Sequence, residues 1–113
     1  MKEVIVIIRP KMYFVTKKAL NEAGFHSMVV KEVIGRGKQP IKYDLDDGDI
    51  VKNRLVAKKM IDMYVTDEEV DFLIQTIVES NKTNHAGDGK IFVLPADNAV
   101  RVRTGQTGNE ALM

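Results

Sequence analysis

The sequence predicts an α+β fold of order βαββαβ in one domain, with a long loop between the second and third strands. Three observations lead there. Short β-branched apolar runs recur at 4–8, 25–35, 55–65 and 90–95. Two segments between them carry the apolar spacing of a helix, at 10–23 and 66–78. The stretch 35–54 carries neither period, and unstructured loops longer than about 12–15 residues inside a compact domain are usually functional or disordered.

In chain order, "VIVII" (4–8) is continuously apolar, the pattern of a strand buried on both faces. Pro10 can open a helix, where its missing N–H costs nothing. Met12, Val15, Ala19 and Ala23, with Leu20, then share one helical face until Gly24. "FHSMVVKEVIG" (25–35) suits a second strand and "LVAKKMIDMYV" (55–65) a third, its better part from Met60 to Val65. Thr66 and Glu69 have the capping-box spacing. Val70, Leu73, Ile74, Ile77 and Val78 fill the i, i+3, i+4, i+7, i+8 template of a second helix. "SNKTNHAGDG" (80–89) is a polar loop, "KIFVLP" (90–95) a short strand, and "AVRVRTG" (99–105) a last short strand ending at Gly105.

Two βαβ halves joined by a loop give the ferredoxin-like order. Two helices cover one face of such a sheet, yet 4–8 and 91–94 are apolar on both faces. The tail "TGQTGNEALM" is too polar to cover the second face well, so another subunit is expected there.

Composition narrows the function classes. A chain of 113 residues fits a single small domain. Its 17 basic and 16 acidic side chains nearly cancel, against general nucleic-acid or anionic-membrane binding, which needs surplus cations. With no cysteine, disulfides, thiolate metal sites and thiol catalysis are excluded. The apolar run at the start ends at Arg9 and Pro10, too short for a signal peptide or a membrane span, so a cytoplasmic location is expected.

Few motifs carry chemistry. "GRGKQP" (35–40) begins like a dinucleotide fingerprint, but Pro40 stands for the third glycine and no helix follows. "NHAGDGK" (84–90) has Asn84 where a P-loop has its first glycine, and Ile91 where it has Ser or Thr. The Gly-Asp-Gly-Lys turn still offers exposed N–H groups and a cation, as an anion site requires, though taken alone ordinary loop chemistry is the commoner explanation. "DLDDGD" (44–49) misplaces its glycine for a calcium loop and has Leu55 at the twelfth position, which leaves an acidic loop tip. Arg101 and Arg103 would share one side of an extended segment, a phosphate grip or a charged edge. His26 and His85 lack ligand spacing. No nucleophile–base pair or carboxylate dyad stands out, so no enzyme activity is expected. An RNA-recognition module of the same strand order needs several sheet aromatics, and "GKIFVLP" supplies Phe92 alone.

Taken together in order and spacing, "IIRP", "GRGKQ", "GDGKIFV" and "VRTG" make the sequence similar to the PII signalling proteins along nearly its whole length. The resemblance implies a ferredoxin-like trimer whose intersubunit clefts bind ATP or ADP, with 2-oxoglutarate as reporter of nitrogen status. Residues 82–90 would be the nucleotide-binding loop, 36–54 the target-binding loop, and 101–113 a C-terminal strand and tail. By position, Gly87, Asp88, Gly89, Lys90, Arg101 and Arg103 would cradle the phosphates. Gly35 and Gly37 would let the loop base approach, with Lys38 beside the phosphates where many relatives carry Arg. Gln39 would help hold a Mg²⁺ that also chelates the 2-oxo acid, and Lys58 would pair with the acid's far carboxylate.

The loop tip departs from the common pattern. Val51 replaces the tyrosine that many bacterial members have uridylylated, and Tyr43 sits elsewhere. Asp47 stands where transporter-regulating members place the arginine that plugs an ammonium channel. Lys42, Tyr43, Asp44, Asp46, Asp47 and Asp49 would form the docking tip. "GRGKQ" with this acidic tip resembles the nitrogen-fixation subgroup of methanogenic archaea, which works with a sister PII subunit and inhibits dinitrogenase directly when ammonium is plentiful. The alternative is a general PII regulator of glutamine synthetase or an ammonium transporter. Neither reading involves nucleic acid or stable membrane association.

Overall fold

The computed structural model describes residues 1–36, 41–42, 50–51 and 55–113, the two short middle pieces by their backbone alone. Strand β1 (Lys2–Ile8) leads through a 3₁₀ turn at Pro10–Met12 into α1 (Tyr13–Glu22) and then β2 (Val29–Gly35). Two short strands follow, β3 (Ile41–Lys42) and β4 (Ile50–Val51), then β5 (Val56–Val65). A second 3₁₀ turn (Asp67–Glu69), α2 (Val70–Asn81) and β6 (Lys90–Pro95) complete the second half. The main sheet runs β2-β5-β1-β6 with every neighbouring pair antiparallel, the ferredoxin-like arrangement. Each half supplies one central and one edge strand, and α1 and α2 cross the same face.

Register puts Val4, Val6 and Ile8 on the helix side with Ile61 and Met63, while Ile5 and Ile7 point the other way opposite Asp62 and Met60. The inward set is fully buried, against Leu20, Leu73 and Ile77 of the helices. The outward set is only half-covered in the single chain, and Phe92 and Leu94 on β6 are 47% and 39% exposed. The two-sided apolarity of these strands is therefore satisfied on the helix side alone.

Three expectations need correction. The long loop contains a short antiparallel ladder, with Ile41 opposite Val51 and Lys42 opposite Ile50, which a two-residue strand is too short to announce by periodicity. In α1 the inward residue is Thr16, fully buried, whereas Val15 is exposed. The Thr16 hydroxyl donates to the Met12 carbonyl at 2.7 Å and accepts from Asn81 Nδ2 at 2.8 Å, so a polar group is buried with its hydrogen bonds made. Residues 99–105 form no strand. Val100 makes one bridge to Thr107, Gly105 N–H donates to the Arg101 carbonyl, and a 3₁₀ helix over Gly108–Leu112 follows.

Capping explains the boundaries. Past α1, the Gly24 and Phe25 N–H groups donate to the Asn21 and Leu20 carbonyls, a Schellman closure that buries Phe25 and delays β2 to Val29. Ahead of α2, Glu69 Oε1 accepts from the Thr66 N–H and hydroxyl at 3.0 and 2.8 Å. Among the described residues, no helix is long and apolar enough to cross a membrane.

Candidate functional site

One end of the sheet gathers the chemistry. There β1 and β2 finish, β5 and β6 begin, and the turn 82–90 between α2 and β6 folds over the end of β1. Gly89 is why it can lie so close. A Cβ at this residue would fall 2.1 Å from the Ile7 carbonyl oxygen, and its φ of +119° belongs to glycine. At Gly87, with φ of +96°, a Cβ would stand 3.1 Å from Arg9 Nη2. A Cβ at Gly35 would meet open space.

Inside the turn, Asp88 faces its own loop. Its carboxylate accepts from the Thr83 N–H at 2.8 Å, the Asn84 N–H at 3.1 Å and the Thr83 hydroxyl. Arg9 Nη1 adds a charged contact at 2.6 Å, while Nη2 donates to the Ala86 carbonyl at 2.7 Å. The Thr83 side chain, then its backbone, then Arg9 hold the Asp88 carboxyl well below the usual carboxylate range. From β5, Lys58 Nζ donates to the Gly87 carbonyl at 3.3 Å. Burial first, and the neighbouring Arg9 charge second, lower the Lys58 pKa, with Asp88 pulling it back up. Lys90, paired with Ile7 across the β1–β6 ladder, is exposed at the mouth of the turn. Behind the turn, a cavity of about 390 Å³ runs between α2 and the β1–β6 edge, lined by Ile77, Val78, Asn81 and Gly89 among others.

The structure thus brings Gly87, Asp88, Gly89, Lys90 and Lys58 together, with Gly35 ending β2 at the same end of the sheet. It does not add the arginine pair. Arg101 spends its guanidinium on Gln106 Oε1 at 2.9 Å, the Glu110 carbonyl at 3.4 Å and the Met113 carbonyl. Arg103 stands exposed in the turn that replaces the expected strand. Gly37, Lys38, Gln39, Tyr43, Asp44, Asp46, Asp47 and Asp49 lie outside the described residues, as does the side chain of Lys42. Among the described residues, no group of three His, Cys, Asp or Glu could hold a metal ion.

Sequence reasoning missed Arg9 and Thr83. The signal for Arg9 was its place directly after an apolar strand, where a long cation can reach whatever loop lies over the strand end. Thr83 gave no signal beyond a hydroxyl near an aspartate.

A ferredoxin-like sheet whose end carries a glycine turn flanked by Arg9, Lys58 and Lys90 defines a class, the small α+β domain with a cation-lined loop at one end of its sheet. The comparisons make this specific. The family model for nitrogen regulatory protein P-II matches residues 1–106. Nitrogen regulatory protein P-II 2 of Methanothermobacter thermautotrophicus is 44% identical, the alignment covering 99% of this chain and 97% of the relative. The nitrogen fixation nifHD region GlnB-like protein 2 of Methanobacterium ivanovii is 39% identical with both chains fully covered. Among solved structures, Arabidopsis thaliana PII bound to citrate superposes with a TM-score of 0.79 at 32% identity, covering 98% of this chain and 88% of that one. The chain belongs to the PII family of nitrogen regulatory proteins.

Proposed function

We propose that the chain is a nitrogen-status sensor that binds ATP or ADP and 2-oxoglutarate and inhibits dinitrogenase by direct contact when ammonium is plentiful. The turn 82–90 carries this reading: Gly89 lies against the Ile7 carbonyl, with Lys58 and Lys90 beside the turn. Backbone N–H groups and the Lys90 cation suit a polyphosphate, with Lys58 next to it for a second anion. Asp88 is already engaged with donors of its own loop, so a Mg²⁺ here would rest on Gln39 and the phosphates, which suits an ion that commonly takes one or two protein ligands. Lys58 would take the far carboxylate of the acid. A related PII crystallised with citrate supports a polycarboxylate effector, and the nitrogen-fixation name of the Methanobacterium ivanovii relative supports the target.

Arg101 and Arg103 would act across a subunit boundary, since within one chain Arg101 turns to its own tail. That requires an oligomer, a homotrimer or a mixed assembly with a sister PII subunit. The half-covered sheet face with Ile5, Met60, Phe92 and Leu94 would close inside it. The loop root would carry ligand occupancy to the acidic tip, since a ligand shifts a conformation by its differential affinity for two states.

Calorimetric titration of 2-oxoglutarate with and without Mg-ATP, repeated on Lys58→Ala, tests the sensor. Binding should need Mg-ATP and vanish in the variant; no ATP binding at all would sink the reading. Retention of dinitrogenase on immobilised protein, released by 2-oxoglutarate with Mg-ATP, tests the target. Retention of glutamine synthetase or an ammonium transporter instead would assign the general regulator.

A further inference from the structure

Resting on the nucleotide reading above, we infer that Arg9 and Asp88 do not touch the nucleotide but lock the 82–90 turn in its binding shape, which makes both of them positioning residues. This replaces the expectation that Asp88 lies among the phosphate contacts. Its two oxygens already accept from the Thr83 N–H, the Thr83 hydroxyl, the Asn84 N–H and Arg9. A carboxylate aimed at phosphates would repel them, and this one is folded back into its own loop where every neighbour is a donor. The Arg9 fork spans two separate points of the turn, Asp88 Oδ1 at 2.6 Å and the Ala86 carbonyl at 2.7 Å. Its Nη2 also packs against the face of Gly87, where a Cβ would come within 3.1 Å.

Two clamps therefore hold the turn to β1. At one end Gly89 presses on the Ile7 carbonyl, and at the other Arg9 reaches from the residue after the strand. Thr83 completes the lock from the start of the loop. Phosphate contact is left to the turn's other N–H groups and to Lys90. The planar fork matters, because its two nitrogens hold a carboxylate and a carbonyl in fixed directions, which the rotatable donors of a single ammonium do not.

Amide exchange of the nucleotide-free protein and calorimetry with Mg-ATP test the lock on Arg9→Lys, Asp88→Asn and the Arg9→Lys/Asp88→Asn double variant. Loss of a charge-assisted bond that orders the loop should weaken ATP by roughly tenfold or more in each single variant. Exchange at the Thr83 and Asn84 amides should quicken in Asp88→Asn, and the double variant should be no weaker than the poorer single, since both remove one device. Wild-type affinity in Arg9→Lys would overturn the inference, because a point charge would then suffice. So would unchanged exchange at Thr83 and Asn84 in Asp88→Asn. Failure of the wild type to bind ATP would refute the nucleotide reading instead, and the exchange data would still decide whether the lock exists.

Discussion

Replacing Gly89 by alanine should break the site while leaving the fold. The new methyl would sit 2.1 Å from the Ile7 carbonyl oxygen, 3.1 Å from its carbon and 3.3 Å from Ile8 Cα. These atoms belong to β1, which is paired on both sides at Ile7, with Met60 and with Lys90, so they cannot swing away. Ordinary non-bonded separation is about 3.5 Å, so the turn must lift by more than about 1 Å. The φ of +119° adds strain, and such glycine-only backbone costs an alanine about 1–3 kcal/mol. Overpacking costs a comparable amount where the structure cannot yield, for a total of about 2–6 kcal/mol. Part of this is relieved when the turn lifts, at the expense of the Arg9 contacts to Asp88 and Ala86. ATP affinity should fall by roughly a hundredfold, the scale on which 1 Å misplacements act at built sites. Calorimetry reads the affinity, and urea unfolding at one fixed protein concentration reads the stability. Gly35→Ala is the control, because a Cβ there meets open space. If Gly89→Ala binds ATP within twofold of wild type at an unchanged urea midpoint, the close approach of turn and strand is not what shapes the site.

The remaining predictions concern single side chains. Burial and Arg9 lower the Lys58 pKa, so its charged form costs stability below that pKa, a cost relieved as pH rises through it. Lys58→Met should hold or raise the urea midpoint at pH 7 while removing 2-oxoglutarate binding; a clear fall would show that the bond to the Gly87 carbonyl outweighs burial. Asp62 has one oxygen buried without a partner, and burial followed by Glu3 pushes its pKa up. The unfolded carboxyl ionises first, so this group's contribution is lost as pH rises through the ordinary carboxylate range. Asp62→Asn should therefore raise the midpoint at pH 7, with the gain fading as pH falls through the ordinary carboxylate range. Asp88 has the opposite sign: its contribution is present at neutral pH and lost only below about pH 4, so amide protection at Thr83 should survive mild acid. Thr16→Val, which removes the hydroxyl bonded to Met12 and Asn81, should cost about 1 kcal/mol in urea unfolding.

Where periodicity is long and the fold obeys it, the sequence was readable. The five-residue template of α2 and its Thr66–Glu69 cap reappear as a helix with Leu73 and Ile77 fully buried. The run 90–95 is β6 to the residue. Misreadings came where one hydrogen bond outweighs a pattern. Val15 beat Thr16 on hydropathy, but Thr16 can satisfy its hydroxyl on Met12 inside the helix and so goes in. The apolar start of "FHSMVV" looked like strand, yet Phe25 closes α1 by donating to Leu20. The valines of "AVRVRTG" looked like strand too. The chain reverses there instead, leaving Val102 98% exposed, because the segment pairs with its own tail at Val100 and Thr107.

The site was legible by residue type and illegible by partner. Glycines, a lysine and an arginine pair can be read as phosphate chemistry, but nothing in "GDGK" says which way the aspartate faces. That is set by Thr83 five residues earlier and Arg9 seventy-nine residues earlier, contacts that only the closed sheet creates. The same topology decides what the loop root is joined to. Gly35, where the chain leaves the sheet, pairs with Val56 near where it returns, and two residues on Lys58 donates to the Gly87 carbonyl. Root and turn are thus joined through one β-ladder and one side chain. A ligand that draws Lys58 off Gly87 must disturb the turn and the loop root together, because both are anchored on the first turn-facing residues of β5. On the proposed function, such an arrangement would couple the turn and the loop root to the degree that each ligand distinguishes the two states of that lysine.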